Sequence, residues 1–294
     1  MEGGFINWPM PTLGGKQFWT DHRWVAGWRL QHNALTNHWR VVDASNVRRA
    51  WGSREACLEK IDEHQARQSA DATPAAVVVL LHGLMRSTGS MDPLAKAFSQ
   101  RGDFQPISFA YASTQASIDD HAAALREWVE HLPGRPEMSF VGHSLGNIVL
   151  RRTIALWQRE GDPEQVLPRM HRVVMLGPPN QGSSIARQLA RLGLFEKITG
   201  TSGKELGVVW SDFQSSLASP ACPFYIVAGD LSESSLKNPL IVGQNDFVVT
   251  VDETKLDGAA EHIVVPVLHS FLMSDSRVIE STLKFIEPLP PKPE

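Results

Sequence analysis

The sequence predicts an α/β fold built on a doubly wound, mostly parallel sheet. Continuous apolar runs recur from Val77 onward, each short enough for a strand buried on both faces. Amphipathic helical segments separate these runs, as βαβ units require. In "SFVGHSLGNIVLRR", Ser139 to Arg152, a strand stops and a helix starts at once, with a serine between two glycines at the corner.

The elements follow in order. The first 72 residues hold six of the nine tryptophans: Trp8, Trp19, Trp24, Trp28, Trp39 and Trp51. "WVAGWRLQHN" and "HWRVVDAS" are aromatic and β-branched runs separated by "ALTN", a hairpin-like pair. In "WGSREACLEKIDEHQARQ", Ser53 is a predicted N-cap, with Ala56, Leu58 and Ile61 on one helical face. The region therefore reads as an N-terminal ββα appendage. Its tryptophans would pack a small core of their own or rim a cleft. The polar stretch "QSADATPAA" links it to a larger domain over residues 73–294.

In that domain "VVVLLHG" is the first strand and "FQPISFAYAS" a weaker second. "SIDDHAAALREWVEHL" is a helix presenting Ile118, Ala122, Leu125 and Val129. "EMSFVGH" is the third strand and "LGNIVLRRTIALWQRE" the helix after it. "HRVVMLGPP", "CPFYIVAGD" and "HIVVPVL" are the last three strands, and "SRVIESTLKFIEPL" is a closing helix. Residues 183–219 exceed a simple crossover and read as a lid-like helical insertion with a Gly-rich middle.

Composition narrows the function classes. Apolar residues make up 42% and charged residues 20% of the 294, so a sizeable core is expected without disulfide staples. The net charge is −4 and the basic residues are scattered, which argues against a nucleic-acid partner. Cys57 and Cys222 form no CxxC or zinc spacing, and either free thiols or a long-range pair fits them. No charged-then-apolar leader is visible, and no apolar run reaches the roughly 18 residues of a membrane span. The expectation is a cytoplasmic protein without stable membrane insertion. Oligomeric state is not legible.

Gly142-His143-Ser144-Leu145-Gly146 is a Gly-x-Ser-x-Gly corner after a buried strand and before an amphipathic helix. Such a turn lifts the serine hydroxyl clear of the backbone in a strained φ > 0 conformation, and it leaves room only for small neighbours. Ser144 is the candidate nucleophile. Stabilising a tetrahedral oxyanion needs two amide N–H groups. Leu145 supplies one, and the loop "LLHGLMRS" supplies Leu84, or Met85 if that loop runs one residue longer. His82 and His143 read as structural histidines. The base should come last in the chain, and His269 directly follows the final strand. The acid should follow "CPFYIVAGD". Asp246 is the first candidate and Asp230 the second, with Asp252 read as a cap for the next turn. Met85 and Phe247, beside these residues, are candidate substrate contacts. No metal or other cofactor is expected.

"LLHGLM", "GHSLG", "GPPNQGS", "NDFVV" and "LHSFLM" together resemble the α/β-hydrolase superfamily, and within it bacterial lipase/esterase-like members. The resemblance covers about Ala75 to Pro288. It implies Ser144, Asp246 and His269 as the triad and Leu84 and Leu145 as oxyanion donors. Phe247 stands where many such lipases have glycine after the aspartate, and the extra glycine often found after the elbow is missing. The implied activity is cleavage of carboxylic esters, from small acyl esters to lipids, through an acyl-enzyme on Ser144. An acyltransferase or thioesterase with the same triad is the alternative. A non-catalytic binding protein on the same fold is more remote.

Overall fold

Residues Ala76–Leu81 alternate strictly between two apolar layers. Val77, Val79 and Leu81 face one, and Val78 and Leu80 face the other, as the twofold period of a strand demands. A strand apolar on both sides needs cover on both sides. The structure, a computed structural model, supplies it and describes residues 10–11, 16–68, 76–186, 202, 205, 210–234, 238 and 240–287.

The larger sheet has six strands: β6 (Ala76–Leu81), β7 (Gln105–Phe109), β8 (Glu137–His143), β9 (Met170–Leu176), β10 (Phe224–Gly229) and β11 (Glu261–Val265). Every neighbouring pair is parallel, in the order β11-β10-β9-β8-β6-β7. Helices α3 (Ile118–Glu130) and α4 (Leu145–Glu160) cover the Val77 face. Helices α2 (Asp92–Arg101) and α5 (Ser276–Phe285) cover the Val78 face. This is the predicted doubly wound parallel sheet with helices on both faces. Helix α2 gives a weak signal in the sequence, because only Leu94 and Phe98 of its ten residues are fully buried.

The chain leaves β6 towards β7 on one side, then returns to β8 and proceeds outward on the other. The carboxyl ends of β6 and β8 therefore flank the switch point, where a crevice opens in such sheets. The loop after β6 carries Leu84 and the turn after β8 carries Ser144.

The N-terminal region is larger than the expected ββα. It is a five-stranded antiparallel sheet, β1 (Met10–Pro11), β2 (Trp19–Val25), β3 (Trp28–Asn33), β4 (Trp39–Val42) and β5 (Val47–Gly52), followed by α1 (Arg54–Ala66). Two turns account for the difference. Ala26 and Gly27 take φ of 46° and 85° and fold "WVAGWRL" into a hairpin instead of one strand. Asp43 Oδ1 accepts from the Ser45 and Val47 amides at 2.9 Å each, an Asx turn that starts β5. The predicted cap holds, since Ser53 Oγ accepts from Ala56 N–H.

The small core of this unit contains Val25, Leu30, Val41, Ala50, Cys57 and Ile61, with Trp28 and Trp39 packed on it. Other tryptophans sit under cations, as where the Arg40 guanidinium lies 3.7 Å from the centre of a Trp19 ring. The unit rests on α3 through β2. There Glu127 takes hydrogen bonds from His22 and Arg54, each at 2.7 Å. Burial opposes its ionisation, but these two partners outweigh burial and pull the carboxyl down to about 2.

Cys57 and Cys222 are both free thiols, and burial pushes each up to about 11. Most of the expected insertion at 183–219 lies outside the described residues. Of the part that is described, Trp210 is buried and Phe213 packs beside it on the α3–α4 side. Among the described residues no helix is long and apolar enough to cross a membrane.

Candidate active site

Strand β8 ends at His143, and Ser144 takes φ 51° and ψ −120° as the residue before α4. That conformation is strained for a residue with a side chain. Close packing holds it. Ser144 N–H donates to Leu176 O at the end of β9 at 2.9 Å. A methyl on Gly146 would stand 2.7 Å from Leu81 O and 2.8 Å from His82 O, so α4 can start this close to β6 only with glycine there. A side chain at Gly142 would collide with Asn147.

The loop after β6 lies against the serine. A methyl on Gly83 would meet His143 Nδ1 at 2.7 Å and Ser144 Cβ at 3.2 Å. Of the amides in this loop, Met85 N–H donates to Ser113 Oγ at 3.1 Å and Arg86 N–H to Gly83 O at 3.2 Å. Leu84 N–H has no hydrogen-bond partner among the described residues. Leu145 N–H, at the first position of α4, has no intrahelical acceptor. Among the described residues Leu84 and Leu145 thus offer uncommitted amides near Ser144, whereas the Met85 amide is committed.

His269 begins a short turn, His269–Phe271, after β11. Its Nδ1 lies 2.7 Å from Asp246 Oδ2, and its own N–H donates to Asp246 O at 3.0 Å. Asp246 is fully buried, and its Oδ1 accepts from the Val248 and Val249 amides at 3.0 and 2.7 Å. A carboxylate with an oxygen on Nδ1 leaves Nε2 as the basic nitrogen. Gly177, at φ 52°, follows Leu176, the partner of Ser144 N–H; a methyl there would stand 2.9 Å from His269 Nδ1. The serine and the imidazole therefore flank the same end of β9. Ser144 Oγ makes no hydrogen bond among the described residues, a looseness common before substrate binds.

The other acid candidates are occupied elsewhere. Asp230 accepts from Ser232 N–H and Ser232 Oγ–H, both at 2.8 Å, from Gln244 Nε2 at 2.9 Å and from Asn245 N–H at 3.2 Å. It staples the base of the loop that carries Asp246. Asp252 pairs with Lys255 at the surface. The cap assigned to Asp252 belongs instead to Thr250, whose Oγ1 accepts from Glu253 N–H, because only the residue preceding the helical turn can reach that amide.

Two features were less legible. His143 reaches across to His269, its Nε2 donating to His269 O at 3.0 Å. Burial and the neighbouring His269 hold its pKa well below the ordinary histidine value, so it stays neutral. Phe247 has φ 81°, in the left-handed region, with its N–H on Asn245 Oδ1 and its C=O taking Asn238 Nδ2. The glycine common at this place in resembling lipases has a conformational reason, which this chain meets with two side-chain hydrogen bonds.

Around the strand ends stand exposed apolar side chains. Met85 and Phe271 are each 58% exposed, on the loops after β6 and β11, and Leu240 and Val242 are exposed on the loop after β10. Among the described residues no group of three or more His, Cys, Asp or Glu could hold a metal ion.

Residues 72–189 match the model of a family described as "Putative serine esterase (DUF676)". That span contains Ser144, Leu84 and Leu145 and ends before Asp246 and His269. No curated protein matches the chain. Among solved structures, the mature lipase BlEst2 of Bacillus licheniformis superposes with a TM-score of 0.54 at 18% identity, covering 72% of this chain and 89% of its own. The lin2722 gene product of Listeria innocua gives 0.51 at 20% identity, covering 74% and 96%. The metagenomic carboxyl esterase MGS0156 gives 0.52 at 17% identity, covering 67% and 65%. The likeness is one of fold: the chain has the α/β-hydrolase fold.

Proposed function

We propose that this α/β-hydrolase is a serine esterase that cleaves carboxylic esters through an acyl-enzyme on Ser144. The observation that carries the proposal is the 2.7 Å contact of His269 Nδ1 with Asp246, on a histidine that shares the end of β9 with a strained elbow serine.

In this reading Ser144 Oγ attacks the ester carbonyl carbon while its proton passes to His269 Nε2. The carbonyl oxygen becomes an oxyanion held by Leu84 N–H and Leu145 N–H, with the N-terminus of α4 favouring its charge. Collapse breaks the bond to the alkoxy oxygen, which leaves as the alcohol with the proton from Nε2. Water then loses a proton to Nε2 and attacks the acyl carbon. The second collapse frees the acid and returns the proton to Ser144. Asp246 stays ionised and stabilises the charged imidazole.

The exposed Met85, Phe271, Leu240 and Val242 favour acyl chains that bury apolar surface over small acetyl groups. The test is hydrolysis of p-nitrophenyl esters from acetyl to palmitoyl by wild type and Ser144→Ala. Loss of activity in the variant, with an optimum beyond butyryl, is the expected result. Equal activity in both proteins would refute the serine mechanism, and faster transfer to an added alcohol than to water would make the enzyme an acyltransferase.

A further inference from the structure

The Trp-rich N-terminal unit lies outside the hydrolase sheet, yet its hydrogen bonds lead to the loop that carries Leu84. The connection runs through Ala110–Ser113, the irregular segment after β7. Backbone groups of alternate residues in that segment bond to the N-terminal unit. Asp21 N–H donates to Ala110 O at 2.8 Å, Ala110 N–H donates to Asp21 Oδ2 at 3.0 Å, and Ala112 N–H donates to Thr20 Oγ1 at 3.1 Å. Side chains of the intervening residues bond to the oxyanion loop. Tyr111 OH donates to His82 O, and Ser113 Oγ accepts from Met85 N–H at 3.1 Å. The His82 ring stacks on Tyr111 with centroids 4.2 Å apart, and its Nδ1 lies 2.9 Å from Gly83 O. Leu84 stands between the two anchored points, His82 and Met85.

The far end of the connection is equally well held. Asp21 is fully buried, and its second oxygen accepts from Gln31 Nε2 at 2.7 Å. Gln31 Oε1 accepts from Arg40 Nε at 2.8 Å, and Arg40 lies over Trp19. Burial raises the Asp21 pKa against these partners, so its place is maintained against a desolvation penalty. A buried polar chain of this kind defines one geometry, because each missing link leaves an unsatisfied group.

We infer that the N-terminal unit is a scaffold for the oxyanion loop, with Thr20 and Asp21 as positioning residues that set Leu84 N–H through Ala110–Ser113. The inference rests on the reading of Ser144 as nucleophile only for its catalytic consequence; the mechanical coupling stands apart from it. An oxyanion donor acts mainly in the transition state, so misplacing it lowers kcat and leaves KM nearly unchanged.

Thr20→Val keeps the shape of the side chain and deletes the acceptor for Ala112 N–H, while Thr20→Ser keeps the acceptor. In the full chain, Thr20→Val should lower kcat about tenfold, a fraction of the ~10²–10³-fold cost of losing a donor outright, with KM within about twofold. Thr20→Ser should restore most of it. Hydrogen-exchange mass spectrometry should show faster exchange in the peptide spanning 82–87 of Thr20→Val, and the same change in Ser113→Ala. Unchanged exchange at 82–87, or a loss confined to KM, overturns the inference. A wild type that cleaves no ester counts against the proposed function instead, and the exchange readout then decides the coupling alone. Asp21→Asn gives a second, harsher variant for the same two readouts.

Discussion

The Nε2–H of His143 donates to the carbonyl oxygen of His269 at 3.0 Å, so the residue before the elbow serine holds the peptide of the candidate base. The rings lie 4.8 Å apart. Among the described residues His143 Nδ1 is buried without a partner, which leaves this one hydrogen bond as the side chain's polar contact there. In His143→Phe the ring volume is retained and the bond lost. The expected outcome is a roughly tenfold fall in kcat, from loss of about 1–1.5 kcal/mol of positioning. Steady-state kinetics on one p-nitrophenyl ester checks it, with a melting curve to establish that the variant is folded.

Asp246 and Asp230 should separate sharply. Asp246→Asn removes the charge that stabilises the imidazolium and is expected to lower kcat by about 10³- to 10⁴-fold. Asp230→Asn weakens a staple of the same loop and should stay within about tenfold of wild type. Comparable losses in the two variants would mean that the acid is not Asp246.

Met85 is 58% exposed, so Met85→Ser should change the melting temperature little. If an acyl chain covers it, the ester burying that side chain loses about 1.5–3 kcal/mol of binding, or roughly tenfold and upward in kcat/KM. The loss should grow from acetyl to octanoyl substrates. A chain-length profile parallel to that of wild type would remove Met85 from the substrate site.

Acid should destabilise the fold through its buried histidines. Burial holds the pKa of His82 down to about 4, and burial with the neighbouring His82 holds that of His121 down to about 3. His143 is likewise depressed. An unfolded chain takes up these protons near pH 6.5, whereas the folded chain does not. Stability is therefore full above about pH 6.5 and falls as pH drops towards the folded values, by roughly 3 kcal/mol for His82 alone near pH 4. Urea unfolding at pH 7.5, 5.5 and 4.5 measures the slope. His121 Nε2 has no partner among the described residues, so His121→Phe should fold and show a shallower slope than wild type.

What the sequence by itself determined was local. The inner strands of the large sheet, β6, β8, β9 and β10, are legible as apolar runs, the edge strands β7 and β11 more weakly, and the elbow is legible because a strand, two glycines and a helix meet within a few residues. Ser144, His269 and Asp246 could be nominated from chain order after those strands. Elements with weaker periodicity were not legible. Helix α2 buries only two side chains in its core stripe, and strand β5 is introduced by an Asx turn inside "VVDASNVRRA". The tertiary structure alone decided which groups meet across long separations. Ser113, 28 residues further on, takes the Met85 amide. His143 reached His269 across 126 residues, and Asp21 reached Ala110 across 89. No sequence period encodes such partners. A buried donor selects its acceptor only when packing has excluded water and left that acceptor as the one within reach.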